Sequence, residues 1–169
     1  ALKLSENKKE SFFHSKTVLD DACNEVRTIA HQMMPKALSQ SGIAAALKDL
    51  VNKTFANSEI KSAFDAQNIP ENLSQNISIN IYRIVQELLG NIIKHSKASE
   101  VSVNLFKNKN QLILLVEDNG IGISDEIRKP KGMGMANITG RVELMNGSFS
   151  IENAPVKGTV ASIRIPLTV

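Results

Sequence analysis

QLILLVEDNGIGI, residues 111–123, is the stretch that decides the fold of this chain. Residues 111–117 are almost continuously apolar, which is typical of a strand buried on both faces of a sheet. Asp118 follows this strand directly, and Gly120 and Gly122 come next. A carboxylate at a strand end beside two glycines indicates a ligand site, because glycine lets the backbone approach a ligand closely. The alternative interpretation is an ordinary Asn-Gly turn between two strands.

An amphipathic helix is predicted over residues 73–95, upstream of that strand. Its apolar side chains recur at about 100° per residue and form one face. Glu87, Asn91 and Lys94 lie on the opposite face, each about one helical turn from the next. Carboxylate and carboxamide oxygens suit a hard cation such as Mg²⁺, which also binds substrate phosphates. The alternative is a solvated helix face with one Glu–Lys pair.

A second glycine-rich segment lies downstream of the strand and contains Gly132 and Gly134. A helix is predicted to follow over residues 135–146, and a helix N-terminus offers backbone N–H groups to an anion. A flexible loop is the alternative for this segment. Gly158 and Thr159, at the entry to the last predicted strand, indicate only a turn on their own.

The order of the predicted elements indicates an α/β fold. It fits a two-layer α/β sandwich in which helices cover one face of a mixed sheet, with a long helix at the N-terminus. Helices are predicted over residues 6–34, 43–57, 73–95 and 135–146, and strands over 59–66, 100–106, 111–117, 148–153 and 159–167.

The long N-terminal helix carries a heptad seam. It is expected to end before Pro35, because a residue that precedes proline is pushed out of the helical region. The seam indicates either a helix packed on its own domain or part of a helical hairpin between chains. The seam positions, three and four residues apart, are Phe12, Ser15, Leu19, Ala22, Val26, Ile29 and Met33.

Length and composition exclude several classes of protein. The 169 residues, 42% hydrophobic and 22% charged, are ordinary for a folded domain and unlike a disordered or fibrous chain. No apolar run approaches the roughly 18 residues of a membrane helix, and we expect no signal peptide. A single cysteine, Cys23, excludes an internal disulfide framework and favours a reducing compartment. A net charge of +3 with only 4% aromatic residues disfavours a nucleic-acid reader that stacks bases.

Taken in order, the motifs around Glu87, Asp118, Gly134 and Thr159 resemble the catalytic ATP-binding domain of sensor histidine kinases. That domain belongs to the GHKL superfamily, with gyrase, the heat-shock chaperone and the mismatch-repair ATPases. The resemblance covers about residues 40–169 and implies the Bergerat-type ATP-binding fold.

The N-terminal part narrows the resemblance. Residues 24–38, with 41–47 after them, look like the junction in two-component kinases that signal to helix-turn-helix response regulators. This implies that residues 1–38 are the second helix of a dimerisation hairpin and that 39–169 are the catalytic ATP-binding domain. The heptad seam fits this interpretation independently.

The resemblance also implies the roles of individual residues. Glu87 would be the catalytic carboxylate, assisting a phospho-accepting histidine or orienting a water. Asn91 would coordinate Mg²⁺, and Asp118 would accept a hydrogen bond from the adenine amino group. The chemistry would be transfer of the γ-phosphoryl group of Mg-ATP to a histidine, for relay to a response-regulator aspartate. The other positions implied to bind ATP are Lys94, His95, Gly120, Gly122, Gly132, Gly134, Met135 and Thr159.

The sequence departs from the family pattern at two places. None of His14, His31 and His95 is followed by an acidic residue, as the phospho-accepting motif requires. We therefore expect a bacterial cytoplasmic fragment that begins after the acceptor and does not autophosphorylate. Its parent would be a homodimer that could carry a membrane anchor, while the fragment itself is expected to contact no membrane and no nucleic acid. In addition, only residues 123–131 separate the two glycine motifs, so the phenylalanine-containing box of other kinases is missing.

Two other functions are compatible with the same motifs. One is a serine kinase of the anti-sigma-factor type, which shares the fold. The other is a non-catalytic nucleotide-binding or dimerisation module.

Overall fold

A mixed sheet and the helices that pack on it make up the described part of the chain, residues 36–123 and 133–167 of a computed structural model. The predicted helix over 6–34 lies outside these residues, together with its heptad seam, His14 and His31. Gly132 lies outside them as well. The domain boundary after residue 38 stays a prediction.

The five strands pair in the order β1-β2-β3-β5-β4. β1 is parallel to β2, and the remaining neighbours are antiparallel. The sheet is therefore mixed, as predicted. The strands are β1 Lys61–Gln67, β2 Glu100–Asn108, β3 Gln111–Asp118, β4 Ser148–Asn153 and β5 Thr159–Pro166.

The core lies on the helix-covered face of this sheet. Buried and more exposed residues alternate along β2 and β5, because successive side chains of a strand point to opposite faces. Leu105 pairs with Leu114, Leu114 pairs with Ile163, and all three are fully buried. This row, together with its neighbours, gives the hydrophobic layer against which the helices pack. The predicted two-layer α/β sandwich is confirmed.

Three α-helices accompany the strands in the described ranges: α1 Lys36–Phe55, α2 Gln75–Asn91 and α3 Met133–Glu143. α1 is broken at Gly42, whose φ of 72° and ψ of 173° are not helical. The prediction of a helix from residue 43 is therefore right for the part after the break, but it missed the helical residues before it. Ser74 caps α2, since its hydroxyl oxygen accepts a hydrogen bond from the N–H of Ile77 at 3.3 Å.

The helix predicted over residues 73–95 ends differently from the prediction. The α-helix stops at Asn91, and Ile92–Ser96 form a π-helical turn that closes at Lys97 with a positive φ of 52°. The Ser96 hydroxyl donates to the carbonyl of Ile92 at 2.8 Å and accepts from the N–H of Ala98 at 3.0 Å. The serine thus satisfies backbone groups at the helix end, and a π turn of this kind is common at functional sites.

Gly158 generates a testable prediction about the sheet end. Its φ is +98°, and a Cβ placed there would overlap the main-chain carbonyl of Asp118. We expect Gly158→Ala to lower the free energy of unfolding by about 2–5 kcal/mol, because a strained backbone adds to an overlap that only a backbone shift relieves. Urea denaturation followed by circular dichroism measures the change.

Gly140→Ala is the matched control. Gly140 lies within α3, and nothing stands within 4 Å of the Cβ it lacks. Alanine there should stabilise the fold by about 0.5–1 kcal/mol, since it removes backbone freedom from the unfolded chain. Equal effects of the two substitutions would contradict the assignment of Gly158.

Candidate functional site

The candidate site is built from three chain segments that meet at the end of β3. The first is the π turn at the end of α2, the second is residues 118–123, and the third is the turn between β4 and β5. The carbonyl oxygen of Ser96 accepts a hydrogen bond from the N–H of Ile121 at 2.8 Å and so joins the first segment to the second. Asn119 adds a further link, since its Oδ1 accepts from the N–H groups of Ser99 and Glu100 at 2.9 and 3.0 Å.

Asp118 is the buried carboxylate of this site, only 8% exposed. Its Oδ1 accepts a hydrogen bond from the N–H of Gly120 at 2.8 Å. Within residues 36–123 and 133–167 this is the side chain's hydrogen bond, which leaves Oδ2 to accept another. A carboxylate oxygen can only accept hydrogen bonds, so the position suits a ligand with an N–H or NH₂ group.

Glycines surround Asp118 because backbone segments approach one another there too closely for a side chain. A Cβ on Gly120 would overlap the carbonyl of Ser96, and one on Gly158 would overlap the carbonyl of Asp118. Gly122 has a φ of +79°, which is accessible mainly to glycine. The structure therefore places Gly120 and Gly158 against Asp118, and Gly122 against Asn153 and Gly158. The expected contact of Gly120 and Gly122 with a nucleotide stays a prediction.

Thr159 joins Asp118 through the sheet register. The two residues are paired across β3 and β5, and Thr159 is likewise 8% exposed. Asn153 is paired with Thr159 on its other side, across β4 and β5. The three side chains form a polar row at one end of an otherwise apolar sheet face. We call it the 118–159–153 row.

Glu87 and Gly134 come together at a second place. Both are partly exposed, and a Cβ on Gly134 would overlap the Glu87 carboxylate. The beginning of α3 therefore lies against the carboxylate side chain of α2. Asn91 lies one helical turn further along α2 and is also partly exposed.

A hydrogen bond two turns away holds the same two helices in register. Nη1 of Arg141 donates to Oδ1 of Asn80 at 3.0 Å, while the Asn80 amide donates to Asn76. Asn80 precedes Glu87 by seven residues, and Arg141 follows Gly134 by seven. The helices are therefore antiparallel, and the Arg141–Asn80 bond fixes which residue of α3 faces Glu87.

The basic groups near this contact affect one another. Burial lowers the pKa of Arg141 below its usual value, and the positive charge of Arg83 lowers it further. The carboxylate of Glu87 acts in the opposite direction.

The remaining predicted site residues are less tightly placed. Lys94 and His95 are exposed on the π turn, and their side chains make no hydrogen bond with the part of the chain that the structure describes. Met135 is partly exposed in the first turn of α3. Gly132 cannot be placed, because it lies outside the described residues.

The side chains present fit Mg²⁺ as a phosphate-bound ion. No group of three histidine, cysteine or acidic side chains gathers in the described ranges to cage a metal. Mg²⁺ is usually held by one or two protein oxygens together with water and substrate phosphates, and the Asn91 carboxamide can supply such an oxygen.

None of the helices in residues 36–123 and 133–167 is both long and apolar enough to cross a membrane.

Three residues of the site carried no usable signal in the sequence. Ser96, Asn119 and Asn153 act through contacts with segments distant in the chain, such as the 30-residue separation between Asn153 and Ile123. Of the three, only Asn153 could have been found by aligning the predicted β4–β5 hairpin, because that alignment pairs it with Thr159.

Comparison with known proteins identifies the family. Residues 76–169, more than half of the chain, match the family model described as "Histidine kinase-, DNA gyrase B-, and HSP90-like ATPase". The chain belongs to this ATPase family. The match includes Glu87, Asn91 and the 118–159–153 row, so the resemblance stated from the motifs is confirmed.

Named relatives of this ATPase domain are sensor kinases. The sensor histidine kinase ComP of Bacillus subtilis is 30% identical over 151 residues, which are 88% of this chain and 20% of ComP. The oxygen sensor histidine kinase NreB of Staphylococcus carnosus is 28% identical over 171 residues, 99% of this chain and 49% of NreB. The chain thus spans between a fifth and a half of these relatives.

A solved structure shows the same fold. The histidine kinase AdeS of Acinetobacter baumannii superimposes with a TM-score of 0.66 at 17% identity, over 95% of this chain and 84% of AdeS. At 17% identity this likeness supports the fold and says nothing about function.

Proposed function

We propose that this chain is the catalytic region of a two-component sensor histidine kinase, which transfers the γ-phosphoryl group of Mg-ATP to a histidine. The observation that carries the proposal is the buried Asp118 carboxylate, with Oδ2 open to a donor and Gly120 and Gly158 packed against the residue. The 6-amino group of adenine is such a donor. The ATPase family and the sensor-kinase relatives support the same reaction.

Adenine would enter between the loop after β3 and the 118–159–153 row. Asp118 would accept a hydrogen bond from the amino group. Thr159 is paired with Asp118 in the sheet and would contact the adenine directly or through a water. Gly120 and Gly122 would shape the loop backbone beside the base, because a side chain at either position would collide with Ser96 or Asn153. Lys94, His95, Gly132, Gly134 and Met135 would serve the phosphate end of the nucleotide.

Glu87 would act where the phosphoryl group leaves ATP. A histidine ring nitrogen attacks the γ-phosphorus in line with the bond to the β-phosphate oxygen; that bond breaks and ADP departs. Glu87 holds or takes the proton of the other ring nitrogen, and so increases the nucleophilicity of the ring. Mg²⁺, bound through Asn91, would neutralise the charge on the phosphates. The chain otherwise acts by positioning the two reactants.

The partners follow from the same assignment. The phosphoryl group would pass from the histidine to an aspartate of a response regulator, which we propose to be of the helix-turn-helix type. The parent kinase would be a homodimer, joined by the hairpin to which residues 1–38 contribute. The names of ComP and NreB, both sensor histidine kinases, support this placement in signal transduction.

Asp118→Asn tests the adenine assignment. Asparagine can keep the hydrogen bond from the Gly120 N–H through its Oδ1, but its NH₂ group cannot accept from the adenine amino group. We expect ATP affinity to fall by about 10–100-fold, as for the loss of a charged hydrogen bond, with the melting temperature nearly unchanged. Calorimetric titration with ATP measures it. Asp65→Asn, which changes an exposed carboxylate on β1, is the control; equal affinities of the two variants would reject the role.

Asn91→Ala tests the metal assignment. In the unmodified chain, removing Mg²⁺ with a chelator should weaken ATP binding, whereas in the variant the chelator should have little further effect, because a protein oxygen ligand is gone. The control is Asn108→Ala, at the exposed turn between β2 and β3. An undiminished response to Mg²⁺ in Asn91→Ala would argue against metal binding at this residue.

Phosphoryl transfer itself is tested by supplying the acceptor separately. The chain is incubated with labelled ATP and either a histidine-bearing dimerisation hairpin or a serine-bearing anti-sigma substrate. We expect acid-labile label on the hairpin alone, since phosphohistidine hydrolyses in acid and phosphoserine does not. Acid-stable label on the serine substrate would overturn the proposal.

Glu87→Gln tests the catalytic carboxylate in the same assay. It should reduce the transfer rate about 100-fold with ATP binding retained, as for loss of a general base. Glu117→Gln, which changes an exposed carboxylate on β3, is the control and should leave the transfer rate unchanged.

A further inference from the structure

The side chain of Asn153 binds both polar backbone groups of Ile123. The N–H of Ile123 donates to Oδ1 of Asn153 at 2.7 Å, and Nδ2 of Asn153 donates to the carbonyl of Ile123 at 3.2 Å. Thirty residues separate the partners in the chain. The amide therefore binds the backbone of Ile123 as a neighbouring strand would, at the far end of the loop 118–123. We call this pair of bonds the Asn153 clamp.

Gly122 is shaped to fit the clamp. Its φ is +79°, and a Cβ built on it would stand 2.6 Å from Oδ1 of Asn153, closer than real Cβ atoms approach any atom. A side chain at position 122 would push the amide away from Ile123. The glycine of the nucleotide motif and the asparagine of the β4–β5 hairpin are therefore one packing unit.

The clamp completes the restraint of the loop that carries the site. Asp118 is held by the sheet register, Ile121 by the carbonyl of Ser96 at 2.8 Å, and Ile123 by Asn153. Asn153 itself is fixed, because it pairs with Thr159, the neighbour of Asp118. The loop is thus tied at its beginning, its middle and its end.

We propose that Asn153 is a positioning residue for nucleotide binding: it holds Gly122 and Ile123 in the conformation that accepts an adenine nucleotide. It contributes through the backbone it orders and need not touch the ligand. A loop that is already ordered loses less conformational entropy on binding, so affinity rises without a new contact. The proposal rests on the nucleotide-binding function proposed above.

The test uses Asn153→Ala and Asn153→Asp in the full 169-residue chain. Alanine removes both bonds, whereas aspartate keeps the acceptor for the Ile123 N–H and loses the donor. Ser150→Ala, an exposed position on the same strand, is the control. Three quantities are measured for each: the dissociation constant for ATP by calorimetry, hydrogen exchange of the Ile123 amide by NMR, and the melting temperature.

We expect Asn153→Ala to bind ATP about tenfold more weakly and to lose protection of the Ile123 amide, as the removal of two hydrogen bonds implies. Asn153→Asp should retain protection of that amide and recover part of the affinity. Ser150→Ala should match the unmodified chain in all three quantities.

Unchanged ATP affinity in Asn153→Ala would overturn the proposal, even if the Ile123 amide exchanged faster. Should Asn153→Ala unfold below the temperature of the titration, Asn153→Asp decides. The proposal then fails if this variant binds ATP at least about tenfold more weakly while the Ile123 amide keeps its full protection, or if it binds ATP like the unmodified chain while that protection is lost. Failure of the proposed function is a separate result: the unmodified chain would then not bind ATP at all.

Discussion

The site depends on one constraint, which is that a buried carboxylate must be held at the end of a central strand by backbone alone. Asp118 is nearly inaccessible, and its Oδ1 is satisfied by the N–H of Gly120. The turn between β4 and β5 touches its main-chain carbonyl at Gly158. No side chain larger than hydrogen fits at Gly120 or Gly158, so the spacing of the glycines is a packing requirement before it is a binding motif.

Helix α2 connects this carboxylate to the place where phosphoryl transfer would occur. The π turn that follows it ends at Ser96 and contacts the loop after β3, and Glu87, nine residues earlier in α2, faces the start of α3. The Arg141–Asn80 hydrogen bond keeps α3 at its register on α2. The helix and its π turn therefore set the distance between the two ends of the site, which is the way enzymes fix reacting groups relative to a bound substrate.

Most of the fold could be predicted from the sequence because the patterns are local. The alternation along β2, the continuous apolar run of β3 and the 3.6-residue period of α2 each follow from which side chains must be buried. The π turn at Ile92–Ser96, the break at Gly42 and the Asn153 clamp could not be predicted. The π turn and the clamp both involve backbone groups of distant segments, and such long-range hydrogen bonds leave no period in the chain. The break at Gly42 is a local change to a positive φ, which the apolar pattern of the helix does not record.

The most direct measurement of the central claim compares ATP with inosine triphosphate in the unmodified chain. The two ligands differ at position 6 of the base, where adenine has a donor NH₂ group and hypoxanthine has an acceptor carbonyl. If Oδ2 of Asp118 accepts from the base, ATP should bind at least about tenfold more tightly, since the inosine carbonyl would face a buried carboxylate. Equal dissociation constants for the two nucleotides, measured by calorimetry with Mg²⁺, would contradict the account.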